Sequence, residues 1–426
     1  MILMGTMVEV KELTFAYDKK TILRALNLLI TEGTFLSIIG PNGSGKTTLL
    51  KNIAKNLSPT TGSIMIDGEN IELYPVKKLA RKIAAVHQNP DINHQFCVQD
   101  IVMMGRHSYI KRFRAETEKD IKIVNMAMQE THVFHLRDRY VNELSGGEKQ
   151  RVMIAKAIAQ EPDVLLLDEP ISFLDIHHQI EVLELLKKLN KEKKISIIVI
   201  LHDLNMAARY SEEMLLLYRG DILTLGRTEE VLTVENLKKA YELEMVIDRN
   251  IYTGCLQVSP ISTLKKKDKV KKLNVHIICG GGTGKRLIQK LYQENFALSV
   301  GVVNRGDSDW EVSTKLALNV IEEKPFEAIS KKSLSLALKS AKNADVVILT
   351  SIPFGKGNLE NLKIAEQQVV NKKPIIFFDQ YPAGALMDFV EGEGRKRLAS
   401  LLENGMIRVT NCEEIIHQLE VVLNEK

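Results

Sequence analysis

The stretch "GPNGSGKT" at residues 40–47 constrains the fold more than any other part of this sequence. It follows an apolar run, "FLSII", and it opens a segment with helical spacing, "TTLLKNIAKNL". A glycine-rich loop between a strand and a helix lets backbone N–H groups surround phosphate oxygens, and the helix amino terminus adds a favourable dipole. The stretch therefore predicts a strand–loop–helix unit that binds the phosphates of ATP.

Two side chains of this loop suit a complex of nucleotide and metal. Lys46 places a positive charge beside the β- and γ-phosphates, and the Thr47 hydroxyl is a ligand for Mg²⁺. ATP and Mg²⁺ are therefore the expected cofactors. The residues predicted to contact the nucleotide here are Gly40, Pro41, Asn42, Gly43, Ser44, Gly45, Lys46, Thr47 and Thr48.

Polar residues follow three further apolar runs, where strands of a sheet are expected to end. "VLLLDEP" delivers Asp168, a predicted Mg²⁺ ligand, and Glu169, the predicted general base for the attacking water. "KIAAVHQ" ends in Gln88 and "ISIIVILH" ends in His202. Because ligands of open α/β sheets bind at the carboxyl ends of strands, we predict that His202 senses the γ-phosphate and that Gln88 contacts the metal or the water. The candidate catalytic residues are Glu169, His202 and Gln88, and the candidate metal ligands are Thr47, Gln88 and Asp168.

The chain is long enough, at 426 residues, for two or three domains. Between residues 7 and 250, strand-sized apolar runs alternate with helical patterns, which predicts a mostly parallel sheet covered by helices. Residues 89–143 are mainly helical and charged, so they are expected to form an inserted subdomain. A lysine-rich stretch predicts a linker at 251–272, after which the alternation restarts over 273–426 as a second α/β domain.

Charge and the length of the apolar runs exclude two classes of protein. The formal net charge of +4 is small for a dedicated nucleic-acid binder, so no nucleic-acid partner is expected. The longest apolar runs, such as "ISIIVIL" at 195–201, are far shorter than the roughly 18 residues of a membrane span. If this protein works at a membrane, another chain must do the spanning.

A second loop rich in glycine, "LSGGE" at 144–148, precedes the helical stretch "KQRVMIAKAIAQ". With this loop included, residues 7–250 resemble the ATP-binding subunit of an ABC transporter. The motifs that carry the resemblance are, in order, Tyr17, the phosphate loop, Gln88, "LSGGE", "LLLDE", "SFLD" (172–175) and His202. The resemblance implies a P-loop ABC ATPase domain with an inserted helical subdomain, followed in this chain by a doubly wound, Rossmann-like domain.

In the family that this chain resembles, two ATPase subunits pack head to tail. The "LSGGE" loop of one copy would then close over the γ-phosphate bound by Lys46 of the partner subunit, Tyr17 would stack on adenine, and Asp175 would lie across the dimer seam. The loop residues in this role would be Ser145, Gly146 and Gly147. Since the chain has a single set of motifs, it is expected to act as a homodimer or beside a similar chain.

Within the family, the chain is similar to ATPases of importers for iron–siderophore complexes, haem and vitamin B12. The stretches that carry this likeness are "VQDIVMMGRHSY" (98–109) and the segment 201–247 that begins "LHDLNMAARY". The likeness implies a permease, an extracytoplasmic substrate-binding protein and a location at the cytoplasmic face of the membrane. A soluble ABC ATPase of the iron–sulfur assembly type, with no permease, is the alternative left open.

A third glycine-rich loop lies in "VHIICGGGTGKRLIQKL", at the start of the second domain. It does not match G-x-x-x-x-G-K-[ST], because the first glycine would fall on Cys279 and Arg286 replaces the hydroxyl residue. Two interpretations stay open: a tight turn between strand and helix, and a binding site for a small anionic ligand that gives the domain a regulatory role.

Overall fold

The structure is a computed structural model that describes residues 5–87, 95–111, 114–263, 271–380 and 387–424. Gln88, a predicted site residue, lies outside these ranges. The chain forms two compact units, residues 1–260 and 261–426. Each unit is described by itself.

The first unit combines strands and helices in alternation after an initial hairpin. In chain order its strands are β1 (Thr6–Tyr17), β2 (Lys20–Thr31), β3 (Phe35–Ile39), β4 (Thr61–Ile66), β5 (Glu69–Asn70), β6 (Ile83–Val86), β7 (Val164–Asp168), β8 (Ser196–Ile200), β9 (Glu213–Tyr218), β10 (Asp221–Arg227), β11 (Leu243–Arg249) and β12 (Leu256–Thr263). Its α-helices are α1 (Lys46–Ile53), α2 (Val76–Lys82), α3 (Val98–Met103), α4 (Glu118–Glu130), α5 (Gly146–Ala159), α6 (Ile176–Lys193), α7 (Leu204–Tyr210), α8 (Thr228–Val231) and α9 (Val234–Tyr241). Short 3-10 turns occur at Ile71–Leu73, Met104–Ser108, Phe134–Leu136 and Val141–Glu143.

The central sheet of the first unit has the strand order β10-β9-β3-β8-β7-β6, and only β10 pairs antiparallel. Every residue of β3, β7 and β8 is buried, as expected for parallel strands covered on both faces. The carboxyl ends of these neighbouring strands therefore lie side by side. A separate antiparallel sheet has the order β2-β1-β4-β5.

A helical segment packs beside this sheet, within the range predicted as an inserted subdomain. α3 and α4 both contact α5, and α5 also contacts the turn at 104–108. Arg106 in that turn is 2% exposed, and its Nε donates to Asp120 Oδ1 of α4 at 3.0 Å. Its Nη1 donates to Ala159 O, at the end of α5, at 2.7 Å. The buried guanidinium of Arg106 thus connects the turn at 104–108 with α4 and α5.

The second unit is a doubly wound α/β domain. Its strands are β13 (Lys271–Ile278), β14 (Phe296–Asn304), β15 (Asn319–Glu323), β16 (Val346–Thr350), β17 (Ile375–Phe378) and β18 (Ile407–Val409). Its helices are α10 (Lys285–Gln293), α11 (Ser308–Lys315), α12 (Lys331–Asn343), α13 (Asn361–Val370), α14 (Glu393–Glu403) and α15 (Cys412–Asn424).

The strand order of the second sheet is β15-β14-β13-β16-β17-β18, and all pairs are parallel. The chain moves outward from β13 in one direction, returns across the sheet through α12, and then moves outward in the other direction. This is the order of a Rossmann-like fold, whose binding crevice forms where the direction reverses. Separate apolar clusters lie on the two faces of the sheet, one including α10 and α15 and the other α12, α13 and α14.

The α/β fold class predicted for both parts of the chain is confirmed. The predicted domain and linker boundaries stay a prediction, and part of the predicted linker is a strand. Residues 256–263 of the predicted linker form β12, which pairs with β11. The boundary between the two units falls within this strand. Among the described residues, no helix has both the length and the apolar character that crossing a membrane requires.

Candidate functional site

The phosphate loop runs from the end of β3 to the start of α1, as its sequence predicts. Gly40 has φ 143° there, and a Cβ at this position would lie 2.2 Å from Leu217 O. Only glycine fits such a contact with a left-handed φ. Lys46, 6% exposed, donates from Nζ to Gly40 O at 2.8 Å and to Pro41 O at 3.0 Å, so its ammonium group lies over the loop. Burial lowers the pKa of Lys46, and the nearby carboxylates of Glu169 and Asp168 act in the opposite direction.

One polar atom of the loop is buried without a partner. Ser44 Oγ has no hydrogen-bond partner among the described residues. Buried hydroxyls are normally satisfied, so an unpaired one inside a glycine-rich loop marks a position for a ligand oxygen.

Asp168, at the end of β7, lies next to the start of α1. Thr47 Oγ1 donates to Asp168 Oδ1 at 3.1 Å. Burial raises the pKa of Asp168, the Thr47 hydrogen bond lowers it, and the neighbouring charge of Glu169 raises it further. Two oxygen donors of the type that hard divalent cations prefer therefore meet at the carboxyl edge of the sheet. The described residues contain no cluster of three or more His, Cys, Asp or Glu that could hold a metal by itself.

Glu169 follows Asp168 and turns toward the end of β8. His202 Nε2 lies 2.5 Å from Glu169 Oε1, and Ser172 Oγ donates to Glu169 Oε2 at 3.0 Å. Both carboxylate oxygens are thus oriented by neighbours. Glu169 itself has φ 52°, an uncommon backbone conformation for a residue other than glycine. The structure brings Lys46, Asp168, Glu169 and His202 to one edge of one sheet.

The "LSGGE" loop forms the amino terminus of α5. Ser145 is the N-cap residue, and its Oγ lies 3.3 Å from the N–H of Glu148, while the Glu148 carboxylate accepts from Ser145 N at 2.8 Å and from Ser145 Oγ at 2.7 Å. These two hydrogen bonds from Ser145 lower the pKa of Glu148. Because serine and glutamate satisfy each other reciprocally, the loop is held in one conformation.

The contacts of the "LSGGE" loop differ from those of the phosphate loop. Gly146 lies near Leu174, and a Cβ at Gly147 would lie 2.6 Å from the ring of His178. By contrast, α1 packs against β2 and β7. Within the described residues of one copy, no hydrogen bond joins Ser145, Gly146 or Gly147 to residues 40–48.

Tyr17 and Asp175 occupy exposed positions. Tyr17 ends β1, is 46% exposed, and makes an edge-to-face contact with Phe15 at 4.9 Å between ring centroids. Asp175 is the N-cap of α6 and accepts from His178 N at 3.0 Å. Gln88 lies outside the described residues.

Two neighbours of the site were given no role from the sequence, namely Ser172, which lies in the "SFLD" motif, and His178. Ser172 lies three residues after Glu169, where a tight turn brings its hydroxyl back to the carboxylate. A serine at that spacing after a catalytic carboxylate is a usable signal. The contact of His178 with Gly147 joins residues 31 positions apart and has no local signal.

The glycine-rich loop of the second unit is occupied by the chain itself. Gly281 N donates to Asp307 Oδ2 at 2.7 Å, and Gly284 N donates to Asp309 Oδ1 at 3.1 Å and to Oδ2 at 3.0 Å. Asp309 is 0% exposed, and burial raises its pKa. Carboxylates therefore lie where a Rossmann-like domain binds phosphate at the first helix. Of the two interpretations left open, this geometry favours the tight turn.

Two family models match parts of this chain, one in each unit. The family model for ABC transporters matches residues 23–172, which include the phosphate loop and Asp168. A second model, that of the MJ0874 family, matches residues 298–416 in the second unit.

Relatives and solved structures extend this match. The cobalamin import ATP-binding protein of Halobacterium salinarum is 32% identical over 325 residues, which cover 76% of this chain and 80% of that protein. The ferric enterobactin transport ATP-binding protein of Escherichia coli is 40% identical over 251 residues, covering 59% of this chain and 93% of that protein. A chain from a structure described as an inward-facing metal-chelate type ABC transporter superposes with a TM-score of 0.54 at 30% identity, covering 60% of this chain and 98% of that chain.

The motif geometry and the comparisons agree. A phosphate loop, a paired Asp–Glu and a strand-end histidine meet at one edge of a sheet. The sequence that carries them matches ATP-binding proteins along most of their length. The chain therefore belongs to the family of ABC transporter ATP-binding proteins, and it is an ABC-type ATPase that binds and hydrolyses ATP.

Proposed function

We propose that this chain is the ATPase subunit of an importer that takes up a metal chelate, either cobalamin or an iron–siderophore complex. The observation that carries the proposal is the pair of relatives named for cobalamin import and ferric enterobactin transport, which match most of their own length. The two alignments run over 325 and 251 residues of this chain. The contact with a membrane partner is proposed to lie in the helical segment.

The proposed catalytic step belongs to Glu169. Its carboxylate takes the proton of the attacking water, and His202 and Ser172 fix the direction of its two oxygens. Lys46 holds the phosphates in place. Thr47 and Asp168 would hold Mg²⁺, which neutralises charge on the phosphates; the two oxygens lie 3.1 Å apart beside the loop, which supports this assignment.

The proposed site is completed by a second copy. Ser145, Gly146 and Gly147 carry the amino terminus of a long helix, a favourable position for an anion, yet in one copy they contact residues 174–178 and not the phosphate loop. Two copies packed head to tail would bring each such loop to the nucleotide of the other, with Asp175 at the seam and Tyr17 against adenine. Gln88 is proposed to contact the metal or the water.

The proposed partners are a membrane permease and an extracytoplasmic substrate-binding protein, which would place the chain at the cytoplasmic face of the membrane. To test this, the tagged chain would be purified from native membranes with mild detergent and its partners identified. We expect a permease with many helices to co-purify, and ATPase activity to rise when cobalamin or a ferric siderophore is supplied with the binding protein. Recovery of the chain only from the soluble fraction, with no permease, would contradict the importer assignment.

A further inference from the structure

His178 contacts both Asp175 and the "LSGGE" loop, two parts of one copy that face the partner's nucleotide in the proposed dimer. It is in the first turn of α6, three residues after the N-cap Asp175. Asp175 Oδ1 accepts from the backbone N–H of His178 at 3.0 Å, and Asp175 Oδ2 lies 2.8 Å from His178 Nδ1. The side chain and backbone of His178 thus hold both oxygens of one carboxylate.

The tautomer of His178 follows from the state of Asp175. Hydrogen bonds from His178, first from its backbone and then from its side chain, lower the pKa of Asp175. An ionised carboxylate can only accept hydrogen bonds, so His178 Nδ1 carries a hydrogen and donates a hydrogen bond to Asp175. A charge-assisted hydrogen bond of this kind is stronger and more directional than a neutral one.

The imidazole ring also packs against Gly147. A Cβ built on Gly147 would lie 2.6 Å from His178 Cδ2 and 2.9 Å from Cγ. The ring therefore occupies the space that any larger residue at position 147 would need. The next residue, Gln179, donates a hydrogen bond from Nε2 to Leu174 O at 3.0 Å. This bond holds the backbone just before Asp175.

We propose that His178 is a positioning residue for ATP hydrolysis, because it fixes Asp175 relative to Ser145, Gly146 and Gly147 within one copy. This inference rests on the proposed head-to-tail dimer, in which both groups reach the nucleotide of the partner subunit. With His178 in place, the two groups approach that nucleotide as one preformed surface. Without it, Asp175 and the "LSGGE" loop would have to be ordered separately at each closure.

The test compares His178→Phe with His178→Ala in the full chain. Phenylalanine keeps a ring against Gly147 but loses the hydrogen bond to Asp175, whereas alanine loses both. The matched control is His177→Ala, since His177 is the neighbouring residue and is 76% exposed in its side chain. Its side chain pairs with Glu181 at 3.5 Å and meets the His178 ring edge to face, with 5.5 Å between ring centroids, so this change removes contacts of α6 without removing the hydrogen bond from His178 to Asp175.

Three quantities are measured for each variant: ATP affinity, kcat per occupied nucleotide site, and ATP-dependent dimerisation in a Glu169→Gln background. For His178→Phe we expect unchanged ATP affinity, because the phosphate loop is untouched, and a fall of about tenfold in kcat and in dimer affinity. In His178→Ala, kcat and dimer affinity should fall further, and in His177→Ala all three quantities should match those of the parent.

Turnover is expressed per occupied site, so loss of folded protein cannot imitate loss of turnover. If His178 only caps α6, His178→Phe will lower the unfolding temperature while kcat per site stays within twofold of the parent, and the proposal is then wrong. If the Glu169→Gln parent itself stays single with saturating ATP, the proposed dimer fails instead, so the two failures are distinguishable.

Discussion

Glu169 and Phe173 occupy left-handed backbone conformations within five residues of each other, with φ 52° and 66°. Such conformations cost roughly 1–3 kcal/mol for residues other than glycine, and they persist where surrounding contacts enforce them. Here Ser172 and His202 hold the Glu169 carboxylate, while Phe173 is 87% exposed. At the scale of single residues, strain therefore accompanies the group proposed to act as the base.

Replacing Glu169 with Gln tests this assignment. Glutamine keeps the size of the side chain and can still bond His202, but it cannot accept a proton from water. We expect hydrolysis to slow by at least about 100-fold while ATP affinity stays within about threefold. Phosphate release and equilibrium ATP binding are the measurements.

Ser172→Ala is the matched control for that experiment. It keeps the carboxylate and removes one hydrogen bond to it, so a fall of less than about tenfold in turnover is expected. Unaltered hydrolysis by the Glu169→Gln variant would show that another group is the base.

The residues of the candidate site differ in how far the sequence could predict them. Local patterns are sufficient to place four of these residues at one edge of the sheet, because each lies at or just after the end of a strand, or at the start of a helix. They are Lys46, Thr47, Asp168 and His202. The hydrogen bond that orients Glu169 depends on where β8 lies, which is set by the fold as a whole. The role of Gln88 stays a prediction.

At the scale of elements, the turn at 104–108 holds the helical segment to α5. Besides its bonds to Asp120 and Ala159, Arg106 donates to Glu161 at 2.8 Å and stacks 3.8 Å above the ring of Tyr109. The pKa of Asp120 is lowered first by its hydrogen bond from the Thr117 hydroxyl and also by Arg106. Arg106 and Asp120 are buried, whereas the Glu161 side chain is half exposed, so the charges of Arg106 and Asp120 depend chiefly on each other.

Arg106→Gln should destabilise the first unit. It removes the cation and leaves the buried carboxylate of Asp120 without its charge partner, which typically costs about 3–5 kcal/mol in the free energy of unfolding. Denaturant unfolding would measure it. Arg137→Gln serves as the control, because Arg137 forms an exposed pair with Asp138 and its loss should cost less than about 1 kcal/mol. Equal effects of the two changes would refute the anchoring role of Arg106.

The glycine-rich loop of the second unit depends on an acceptor from another element. Asp309 lies in α11, and its carboxylate accepts from Gly284 at the start of α10. Sequence patterns place a strand, a loop and a helix here, but they cannot reveal that a side chain 25 residues further on fills the loop. This is why the sequence left a ligand site open.

Asp309→Ala should leave the Gly284 N–H buried without an acceptor, at a cost of about 1–3 kcal/mol in the stability of the second unit. Hydrogen exchange at the Gly284 amide should accelerate in parallel. Glu311→Ala, an exposed change on the same helix, should shift stability by less than about 0.5 kcal/mol. Unchanged exchange at Gly284 would mean that Asp309 does not hold this N–H.

At the scale of the whole molecule, the two units have separate apolar cores, so two unfolding transitions are expected. The alternation of strands and helices was sufficient to predict two α/β folds. The alternation alone could not predict the order of the strands in each sheet. That order depends on how the helices pack against the sheet, which is decided by contacts between residues far apart in the sequence.

The unfolding transition of the second unit should depend on pH through the protonation of His276. This side chain is 0% exposed in β13, with Nδ1 2.9 Å from Ser299 Oγ, and burial lowers its pKa from 6.5 to about 4. Below pH 6.5 the unfolded chain takes up a proton that the folded unit does not. The contribution of His276 to stability is therefore fully present above pH 6.5 and falls by about 3 kcal/mol as the pH drops to about 4.

Thermal unfolding across that pH range measures the effect. His276→Asn, which does not titrate there, should lose this part of the pH dependence in the second transition and leave the first unchanged. The same slope in parent and variant would assign the pH dependence to other groups.

The phosphate loop and the "LSGGE" loop make separate contacts within one copy, and this has a genetic consequence. Consider two inactive alleles, one encoding Lys46→Ala and the other Ser145→Arg. In the proposed head-to-tail dimer, each product alone would give pairs with two damaged pockets. Expressed together, a mixed pair would combine the intact Lys46 of one product with the intact Ser145 of the other, so one pocket of the two would work. Two null alleles of the same gene are therefore expected to complement each other and restore part of the ATP hydrolysis.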